Sequence, residues 1–557
     1  MPSHSPWIHT PPPEKSFRSI FRWGDPHTFK HPNPRLHAML KETFGLGDRD
    51  FLTPRFTGEE RVSETLPIPL PEPFIEAMEK AVGPEQVQRD AFSRIRYSTG
   101  KTTEEALALR HHQIEGISDL VVHPRHKRDV QAVVSLCHEH RIPLSVYGGG
   151  SSVTLGHRME KGGVTLVMAT HMNRVLSLNE EDHAVTVEAG ISGPDYEAAL
   201  NEAPKRFGAL RPYTCGHFPQ SFEFSTVGGW ILTLGSGQAS SYYGDAADLL
   251  LAVEVITPRG EIVTQSVPAT ATGPKIQDIF KGSEGAFGVL VSVTLKIFRK
   301  MPENTRRFSF IFPDWKRAVA ASREITQAQC GMPAVFRISD AEETDVALKL
   351  YGVEGGPLDS LMRFAGYRPM ERCLALGTAE GAAGFSRNVA KNVRRIAKKF
   401  GAMGLTSYPV HKWEHGRYLD PYMREDLLDF GIIIDTLETG VTWSALHRVH
   451  DSVRAFIKAR PQTICMTHAS HFYPQGTNLY FIFIARMEDL DSYRAFHREI
   501  IERILHAGGT LSHHHGVGRM MGPFMEKQLG GESMELLRAV KKHLDPHGIL
   551  GPGVMGL

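Results

Sequence analysis

The sequence predicts an α+β protein, and three features of the chain support that class. A strand, a helix and a strand follow one another between 117 and 147, and later segments read as further strands instead of repeated βα units. Three glycine-rich clusters lie beside strands between 148 and 288. Beyond 300 the elements become longer. We therefore expect an N-terminal arm and helical preface over 1–115, one domain over 116–300, and a second over 301–557 whose last segment returns to the first.

Composition excludes several classes of protein. The 557 residues are 41% hydrophobic and 22% charged with a net charge of +1, which is typical of a globular protein and offers no global field for nucleic acid. Five scattered cysteines form no C-x-x-C pair, so we expect a reducing compartment and no metal site. No apolar run reaches the ~18 residues of a membrane-spanning helix. We expect a cytoplasmic protein, with peripheral membrane contact and a homodimer left open.

The expected elements follow from apolar spacing and turn residues. Residues 1–35 are rich in Pro and His and predict an extended arm, before helical spacing begins. The predicted helices are Leu36–Gly45, Pro71–Val82, Lys127–Glu139, Trp315–Ala328, Phe385–Phe400, Ser492–Ala507 and 533–543. The predicted strands are 119–123, 142–147, Val164–Met168, Val185–Val187, a hairpin over 253–263, Phe308–Phe312, Val335–Ile338 and Asn478–Ala485.

The most informative stretch is the glycine turn within Pro143–Gly156. An apolar strand ends there in Gly148, Gly149 and Gly150, and two serines follow. Backbone without Cβ atoms can press against a ligand, and free N–H groups beside serine hydroxyls suit an anion such as a pyrophosphate. An ordinary tight turn is the alternative. The turn is neither a Walker loop nor a G-x-G-x-x-G motif.

Two further clusters have the same character. Gly216–Gly237 concentrates serine, threonine and glycine between aromatic residues, and Gly282–Gly288 leads from a glycine loop into a long strand. Each cluster alone fits a tight turn. Three of them beside strands favour one composite binding site.

Taken together, Tyr147–Val153, Gln220–Thr226 and Gly282–Gly288 resemble the FAD-binding segments of vanillyl-alcohol-oxidase-type (PCMH-type) flavoproteins. This resemblance covers about 117–300 and implies a two-part FAD-binding domain followed by an α+β cap domain. From about 90 to its end, the chain is similar to the alkyldihydroxyacetonephosphate synthase family. The residues that carry this second resemblance are Gly216-His217, Ser221–Trp230, Gly282–Gly288, Tyr422-Met423-Arg424, Tyr480-Phe481, Ser512–Gly518 and 544–551.

The resemblance implies FAD held without a covalent bond. Residue 151 is serine, where a histidyl attachment would need histidine, and Leu234 stands where the family leads us to expect an arginine. The implied FAD contacts are Tyr147, Gly148, Gly149, Gly150, Ser151, Ser152, Val153, Gln220, Ser221, Phe222, Glu223, Phe224, Ser225, Thr226, Thr233, Leu234, Gly235, Ser236, Gly282, Ser283, Glu284, Gly285, Ala286, Phe287 and Gly288.

The candidate catalytic residues have plain structural alternatives. Tyr480 lies on an apolar strand and reads as a core aromatic, whereas the resemblance implies an acid/base that needs nearby cations to lower its pKa. His513, His514 and His515 are the residue type of a metal site, but adjacent residues rarely all face one metal ion. A surface loop is therefore the plainer alternative. The resemblance instead implies that they contact the flavin and the substrate phosphate, as donors and as bases near pH 7. Related 2-hydroxyacid dehydrogenases carry a carboxylate at position 514.

Two arginines and one histidine complete the set. Arg424 fits a helix-face ion pair with a neighbouring acid, and the resemblance implies that it binds substrate. Arg337 fits an ion pair with Asp340, and the resemblance implies a functional role. His217 lies next to a flavin segment and is a candidate for assisting proton transfer.

The resemblance implies an enzyme that exchanges the acyl chain of 1-acyl-dihydroxyacetone phosphate for a long-chain alcohol without net redox. An FAD-dependent 2-hydroxyacid or alcohol dehydrogenase is the alternative, although the metal loop of that family is missing at 470–478. A flavin-binding protein without catalysis is a third class. Basic residues around Val393, Ile396 and Phe400 fit a solvated helix face or a membrane-surface contact: Lys391, Arg394, Arg395, Lys398 and Lys399.

Overall fold

The computed structural model describes residues 6–487 and 489–557. The predicted helix Trp315–Ala328 is found at Trp315–Gln327, where the Asp314 side chain accepts the backbone N–H of Arg317 as an N-cap. The helices are Phe17–Phe21, Pro34–Phe44, Glu72–Val82, Ala91–Arg96, Thr103–Arg110, Lys127–His140, Gly193–Asn201, Ala203–Phe207, Val227–Leu232, Ser240–Tyr243, Ala246–Leu249, Gln277–Phe280, Trp315–Gln327, Ala341–Leu350, Pro357–Phe364, Ala383–Lys399, Tyr408–Gly416, Met423–Leu428, Leu446–Ala459, Leu490–Ala507, Met525–Leu529 and Gly531–Leu544.

A four-stranded sheet positions the glycine turn. Its strands, in spatial order, are Val87–Gln88, Leu120–Val122, Val164–Val167 and Leu144–Tyr147. The last three run parallel, and the Lys127–His140 helix makes the crossover from Leu120–Val122 to Leu144–Tyr147. The turn over 148–153 therefore leaves the sheet at the carboxyl end of a strand, where ligands bind in open parallel sheets.

A five-stranded antiparallel sheet positions the other two clusters. Its strands, in spatial order, are Val175–Asn179, Ala184–Glu188, Val289–Lys296, Leu250–Thr257 and Gly260–Val263. The 250–263 hairpin lies where the turn residues predict it. The Gly282–Gly288 cluster comes directly before the central strand, and a two-stranded pair joins Tyr213–Thr214 to Phe298–Arg299.

The third sheet is antiparallel and forms the cap. Its strands, in spatial order, are Met403–Gly404, Arg306–Phe312, Cys373–Ala379, Phe336–Ser339, Ile464–Ala469, Gly476–Arg486 and Ile432–Thr442, and Phe472–Tyr473 pairs at the side of Gly476–Arg486. The register places Tyr480 opposite Glu438 on one neighbouring strand and opposite His468 on the other. Directly paired residues share a face of a sheet, so these three side chains form one row.

The prediction of an extended arm over 1–35 is wrong at Phe17–Phe21, whereas residues 6–16 and 22–33 contain no helix or strand. Phe17–Phe21 is a helix whose phenylalanine side chains are buried. Arg18 pairs with Asp429 at 2.8 Å, and this partner lies 411 residues away in the sequence. Proline and histidine content reports nothing about such a distant partner, which is why composition alone misled. Residues 1–5 lie outside the described residues.

The last segment of the chain lies against the first domain. Leu144 donates its N–H to the carbonyl of Ile549 at 2.7 Å, and its own carbonyl accepts the N–H of Gly551 at 2.8 Å. Lys541 donates to the carbonyl of Ala286 at 2.8 Å, beside the third glycine cluster. Among the described residues, no helix combines the length and apolar character needed to cross a bilayer.

The basic helix Ala383–Lys399 faces the cap core with its apolar side. Val393 and Ile396 are buried, and Phe400 is partly buried against the same core cluster. The apolar residues that the sequence places among the charges are therefore unavailable to a membrane. The basic side chains of this helix are exposed, together with Phe385 and Asn388 near its start.

Candidate active site

One cavity of about 350 Å³ lies between the glycine-rich loops and the cap sheet. The structure brings most of the predicted site residues to its wall. Those that line it are Gly148, Gly149, Gly150, Ser151, Ser152, Val153, Gln220, Ser221, Thr226, Thr233, Gly235, Ser236, Glu284, Arg337, Arg424, Tyr480, His514 and His515. Those that do not line it are Tyr147, Phe222, Glu223, Phe224, Ser225, Leu234, Gly282, Ser283, Gly285, Ala286, Phe287, Gly288, His217 and His513.

The glycine turn is packed so tightly that side chains are excluded. A Cβ on Gly149 would lie 1.9 Å from the carbonyl oxygen of Phe224. Gly150 has a φ of +72°, and a Cβ there would lie 1.8 Å from the Tyr147 hydroxyl. Tyr147 and Phe224 thus support the turn from behind, which explains why they are absent from the cavity wall. The turn presents bare backbone to the cavity, as an anion cradle requires.

His217 lies behind the wall and does not reach the cavity. Its ring packs against Trp230 at a centroid distance of 4.7 Å, and neither ring nitrogen has a hydrogen-bond partner among the described residues. Burial lowers the pKa of His217 to about 3. No hydrogen bond among the described residues connects the His217 ring with the cavity, so its assistance in proton transfer stays a prediction.

Tyr480 occupies the centre of the cap row. Its ring stacks on His468 at 4.8 Å, and its hydroxyl donates to Thr436 Oγ1 at 3.2 Å. Burial raises the pKa of Tyr480 to about 12, and the nearby Arg337 offsets this only in part. Nearby cations therefore do not lower the pKa of Tyr480 toward neutrality, as the acid/base role was expected to need. At pH 7 the hydroxyl is a proton donor.

Arg337 is held by a different acid from the one predicted. It contacts Glu343 and lies 3.0 Å from His468 Nδ1. Asp340 instead pairs with Arg454 at 2.7 Å. Burial opposes ionisation of Glu343, but His468 and Arg337 lower its pKa to about 2. The carboxylate therefore fixes both the guanidinium and the imidazole at the cavity wall.

Arg424 combines the structural and the ligand-binding roles. Its guanidinium donates to Glu425 at 3.0 Å and to the carbonyl of Lys101. Its Nε is buried and has no partner among residues 6–487 and 489–557. One donor of this cavity-lining arginine is therefore left unused by the described residues.

The three histidines form a loop that Glu438 anchors. This carboxylate accepts the backbone N–H groups of His513, His514 and His515 at 2.8, 3.1 and 3.0 Å, and the hydroxyl of Ser512 at 2.5 Å. Burial opposes its ionisation, but His514 and the neighbouring histidines hold the pKa of Glu438 well below its usual range. A buried carboxylate with several N–H donors is a strong anchor.

Burial also sets the protonation of this loop. It lowers the pKa of His513 and of His515 to about 4. Both rings are therefore neutral and only weakly basic at pH 7, and their action as bases stays a prediction. Glu438, His513 and His514 bring possible ligand atoms within 4.8 Å of one another. The backbone donors already occupy the carboxylate, so the trio serves as a loop anchor.

A hydrogen-bonded chain leads away from the cavity through this loop. His514 lines the cavity, and its Nδ1 lies 3.1 Å from His513 Nδ1. His513 Nε2 lies 2.9 Å from the Tyr473 hydroxyl, which donates to Asp245 at 3.3 Å. The chain therefore connects a cavity-lining imidazole with a half-buried carboxylate.

Glu284 ties the same loop to the Gly282–Gly288 cluster. It accepts the backbone N–H groups of Val517 at 2.6 Å and Gly518 at 2.8 Å. Burial raises the pKa of Glu284 to about 7, although these donors oppose the shift. Glu438 and Glu284 thus hold the two ends of one loop, the first from the cap and the second from the domain that carries the glycine turn.

Several residues that line the cavity were not predicted from the sequence. They are Trp23, Lys101, His157, Asp435, Thr436, His468 and His471. Glu438 was missed as well, since a single acid inside a strand has no local signature. The burial of ionisable side chains would have identified these residues, but the folded structure is needed to see that burial.

Comparison with known proteins agrees with this architecture. Residues 118–266 match the family described as "FAD binding domain", and residues 301–555 match "FAD linked oxidases, C-terminal domain". An alkyldihydroxyacetonephosphate synthase of Dictyostelium discoideum is 28% identical over 95% of this chain and 92% of that protein. One of Trypanosoma brucei brucei is 28% identical over 95% of this chain and 88% of that protein. A solved alkyldihydroxyacetonephosphate synthase structure superimposes with a TM-score of 0.81 and 25% identity over 96% of this chain and 99% of that one.

The wall of the cavity fits FAD. The glycine turn presents bare backbone to the cavity, and Gln238, which lines the same wall, has a buried Oε1 without a partner among the described residues. The matched FAD-binding domain contains the first two glycine clusters. FAD is therefore the cofactor, and the predicted α+β flavoprotein fold is confirmed.

Proposed function

We propose that this chain, which carries an FAD-binding domain and an FAD-linked oxidase C-terminal domain, catalyses the alkyldihydroxyacetonephosphate synthase reaction. The acyl chain of 1-acyl-dihydroxyacetone phosphate leaves as a fatty acid, and a long-chain alcohol takes its place through an ether bond. The observation that carries the proposal is the row of Glu438, Tyr480 and His468, of which Tyr480 and His468 line one cavity opposite the glycine-rich loops. The similarity to synthases over nearly the whole chain supports it.

We infer the following roles for the side chains. Arg424 and Arg337 orient the phosphate, since a guanidinium donates in a planar fork that suits it. Tyr480, protonated at pH 7, gives its proton to the departing carboxylate and takes one from the arriving alcohol, so that no net proton is consumed. FAD, when bound, supplies a nucleophilic ring nitrogen and an electron sink. His514, His513 and Tyr473 exchange a proton with Asp245 through the chain described above.

The test is an anaerobic incubation of the FAD-loaded protein with acyl-dihydroxyacetone phosphate and isotope-labelled hexadecanol, read by mass spectrometry. We expect labelled ether product without lasting flavin reduction. Tyr480→Phe should lower turnover at least 100-fold and retain FAD, because general acid–base groups contribute ~10²–10⁴-fold. The exposed Tyr408→Phe is the control. Flavin bleaching by a 2-hydroxy acid, with no ether product, would instead establish the dehydrogenase alternative.

We also propose that the cap touches an anionic bilayer, from which long-chain substrates are drawn. The helix Pro357–Phe364 exposes Leu358, Leu361 and Phe364, the last with 91% of its surface. The Tyr367 hydroxyl donates to the carbonyl of Gly401 at 2.9 Å, which brings this apolar helix next to the basic end of Ala383–Lys399. Apolar side chains beside cations are typical of a peripheral membrane face.

Vesicle flotation tests this second proposal. Phe364→Ser should lower binding to phosphatidylglycerol vesicles, and Leu536→Ser, which alters an exposed leucine on another helix, should not. Equal binding by wild type and Phe364→Ser would end the idea. A change in sedimentation mass, with unchanged flotation, would assign the patch to a second copy of the chain.

A further inference from the structure

A buried lysine lies in the cavity without a countercharge. Lys101 is 9% exposed and lines the cavity between the glycine turn and the N-terminal segment. Its backbone N–H donates to the carbonyl of Ser152 at 2.6 Å, so it directly flanks the turn. Its ammonium donates to the carbonyl of Ile20 at 2.6 Å. No carboxylate of the described chain lies within ion-pair distance of the ammonium.

The nearest acid is already committed elsewhere. Glu425 contributes the leading favourable charge at Lys101, but it pairs with Arg424 at 3.0 Å and with Arg110 at 3.3 Å. Burial of a cation without a partner is costly, and here it lowers the pKa of Lys101 to about 7. An anion in the cavity would remove that cost. Two donors of the ammonium have no protein partner in the described part of the chain.

Two further residues that line the same cavity each hold a buried donor without a partner in the described chain. Trp23, 6% exposed, has a buried indole Nε1 with no acceptor in the described chain, and its ring contacts Phe224 at 5.0 Å. Arg424, 8% exposed, has a buried Nε in the same state, and it donates to the carbonyl of Lys101 through another nitrogen. Buried donors are almost always satisfied in native proteins, so these point to a ligand.

We propose that Lys101, Trp23 and Arg424 form a subsite that binds a phosphate group. Two cations and an indole N–H, from three separate parts of the chain, offer the donors that phosphate oxygens accept. The proposal rests on the proposed function, which supplies two sources of phosphate: the dihydroxyacetone phosphate moiety of the substrate and the diphosphate of FAD. Lys101 and Trp23 thereby join Arg424 as ligand-binding residues.

Two titrations of the full-length protein test the subsite and separate its sources. Inorganic phosphate is titrated into the FAD-loaded protein and followed by calorimetry. FAD is titrated into the FAD-free protein and followed by flavin fluorescence. Lys101→Met keeps the length of the side chain and removes its charge, and Lys391→Met, on the exposed face of a cap helix, is the matched control. Trp23→Phe removes only the indole donor and keeps an aromatic ring.

We expect Lys101→Met to weaken phosphate binding at least tenfold, Trp23→Phe several-fold, and the control less than twofold. A tenfold loss of FAD affinity, with phosphate binding unchanged, would support the subsite and assign it to the cofactor diphosphate. Both affinities staying within twofold of wild type in Lys101→Met and Trp23→Phe would overturn the proposal. If Lys101→Met does not fold, Trp23→Phe alone decides in the same way. If the FAD-loaded wild type makes no ether product and Lys101→Met still loses phosphate binding, the proposed function is refuted and the subsite stands.

Discussion

The anchoring of the histidine loop by Glu438 can be tested by Glu438→Gln, which keeps the shape and removes the charge. Hydrogen bonds to a charged group contribute about 1.5–3 kcal/mol, against about 0.5–1.5 for neutral ones, so the three backbone bonds together lose roughly 3 kcal/mol. The new amide NH₂ also faces a backbone N–H, and this leaves donors unsatisfied at a cost of about 1 kcal/mol or more. We expect the loop to open more easily by roughly 4 kcal/mol, which is about three orders of magnitude.

Hydrogen exchange measured by mass spectrometry on peptides spanning 512–518 reads this opening directly. The amides of His513, His514 and His515 should exchange about 1,000-fold faster in Glu438→Gln, and Glu535→Gln, an exposed control, should leave them unchanged. Because the pKa of Glu438 is depressed, its stabilisation is present above the ordinary carboxyl range and is lost only as pH falls through the folded pKa. An acceleration of less than tenfold would refute the view that this carboxylate anchors the loop.

Two further outcomes follow from the FAD-side loops. Gly149→Ala places a Cβ 1.9 Å from the Phe224 carbonyl, so its FAD affinity, measured by fluorescence, should fall at least tenfold. The control Gly384→Ala, which has open space around the new Cβ, should bind FAD as wild type does. Equal FAD affinities of Gly149→Ala and wild type would contradict the close approach. Glu284 has a pKa raised to about 7 by burial, so its ionisation costs stability as pH rises from about 4.5 to 7. In urea unfolding, the free energy of unfolding of wild type should fall by roughly 3 kcal/mol across this range relative to that of Glu284→Gln, and the control Glu532→Gln should behave as wild type. If the free energies of wild type and Glu284→Gln depend on pH in the same way, the raised pKa of Glu284 is refuted.

The elements of the fold that could be predicted from the sequence are those whose cause lies in neighbouring residues. Glycine at 150 is demanded by the positive φ of the turn itself, so the turn was visible without tertiary information, whereas Gly149 is demanded by the packing of Phe224. Helix Trp315–Gln327 and strand Gly476–Arg486 follow from apolar spacing within a single segment. The N-terminal arm failed because the burial of Phe17–Phe21 depends on Asp429 and on a surface built by distant residues.

The candidate site divides in the same way. Tyr480 and the histidine loop were found by resemblance, but their protonation was misjudged because burial shifts a pKa and cannot be read from neighbours in sequence. The pairing of Arg337 with Glu343 instead of Asp340 is a choice between two acids a few residues away, and only side-chain geometry makes it.

The sequence by itself indicated the α+β class and an anion cradle, because glycine patterns and apolar periodicity act over a few neighbouring residues, whereas FAD was implied by the resemblance to known flavoproteins. Tertiary structure alone decided that Glu438, Tyr480 and His468 stand in one row, since antiparallel register sets it across three strands. It also placed Lys101 and Trp23 in the cavity as buried donors. Burial and register arise from contacts between residues far apart in the chain, and no local pattern encodes them.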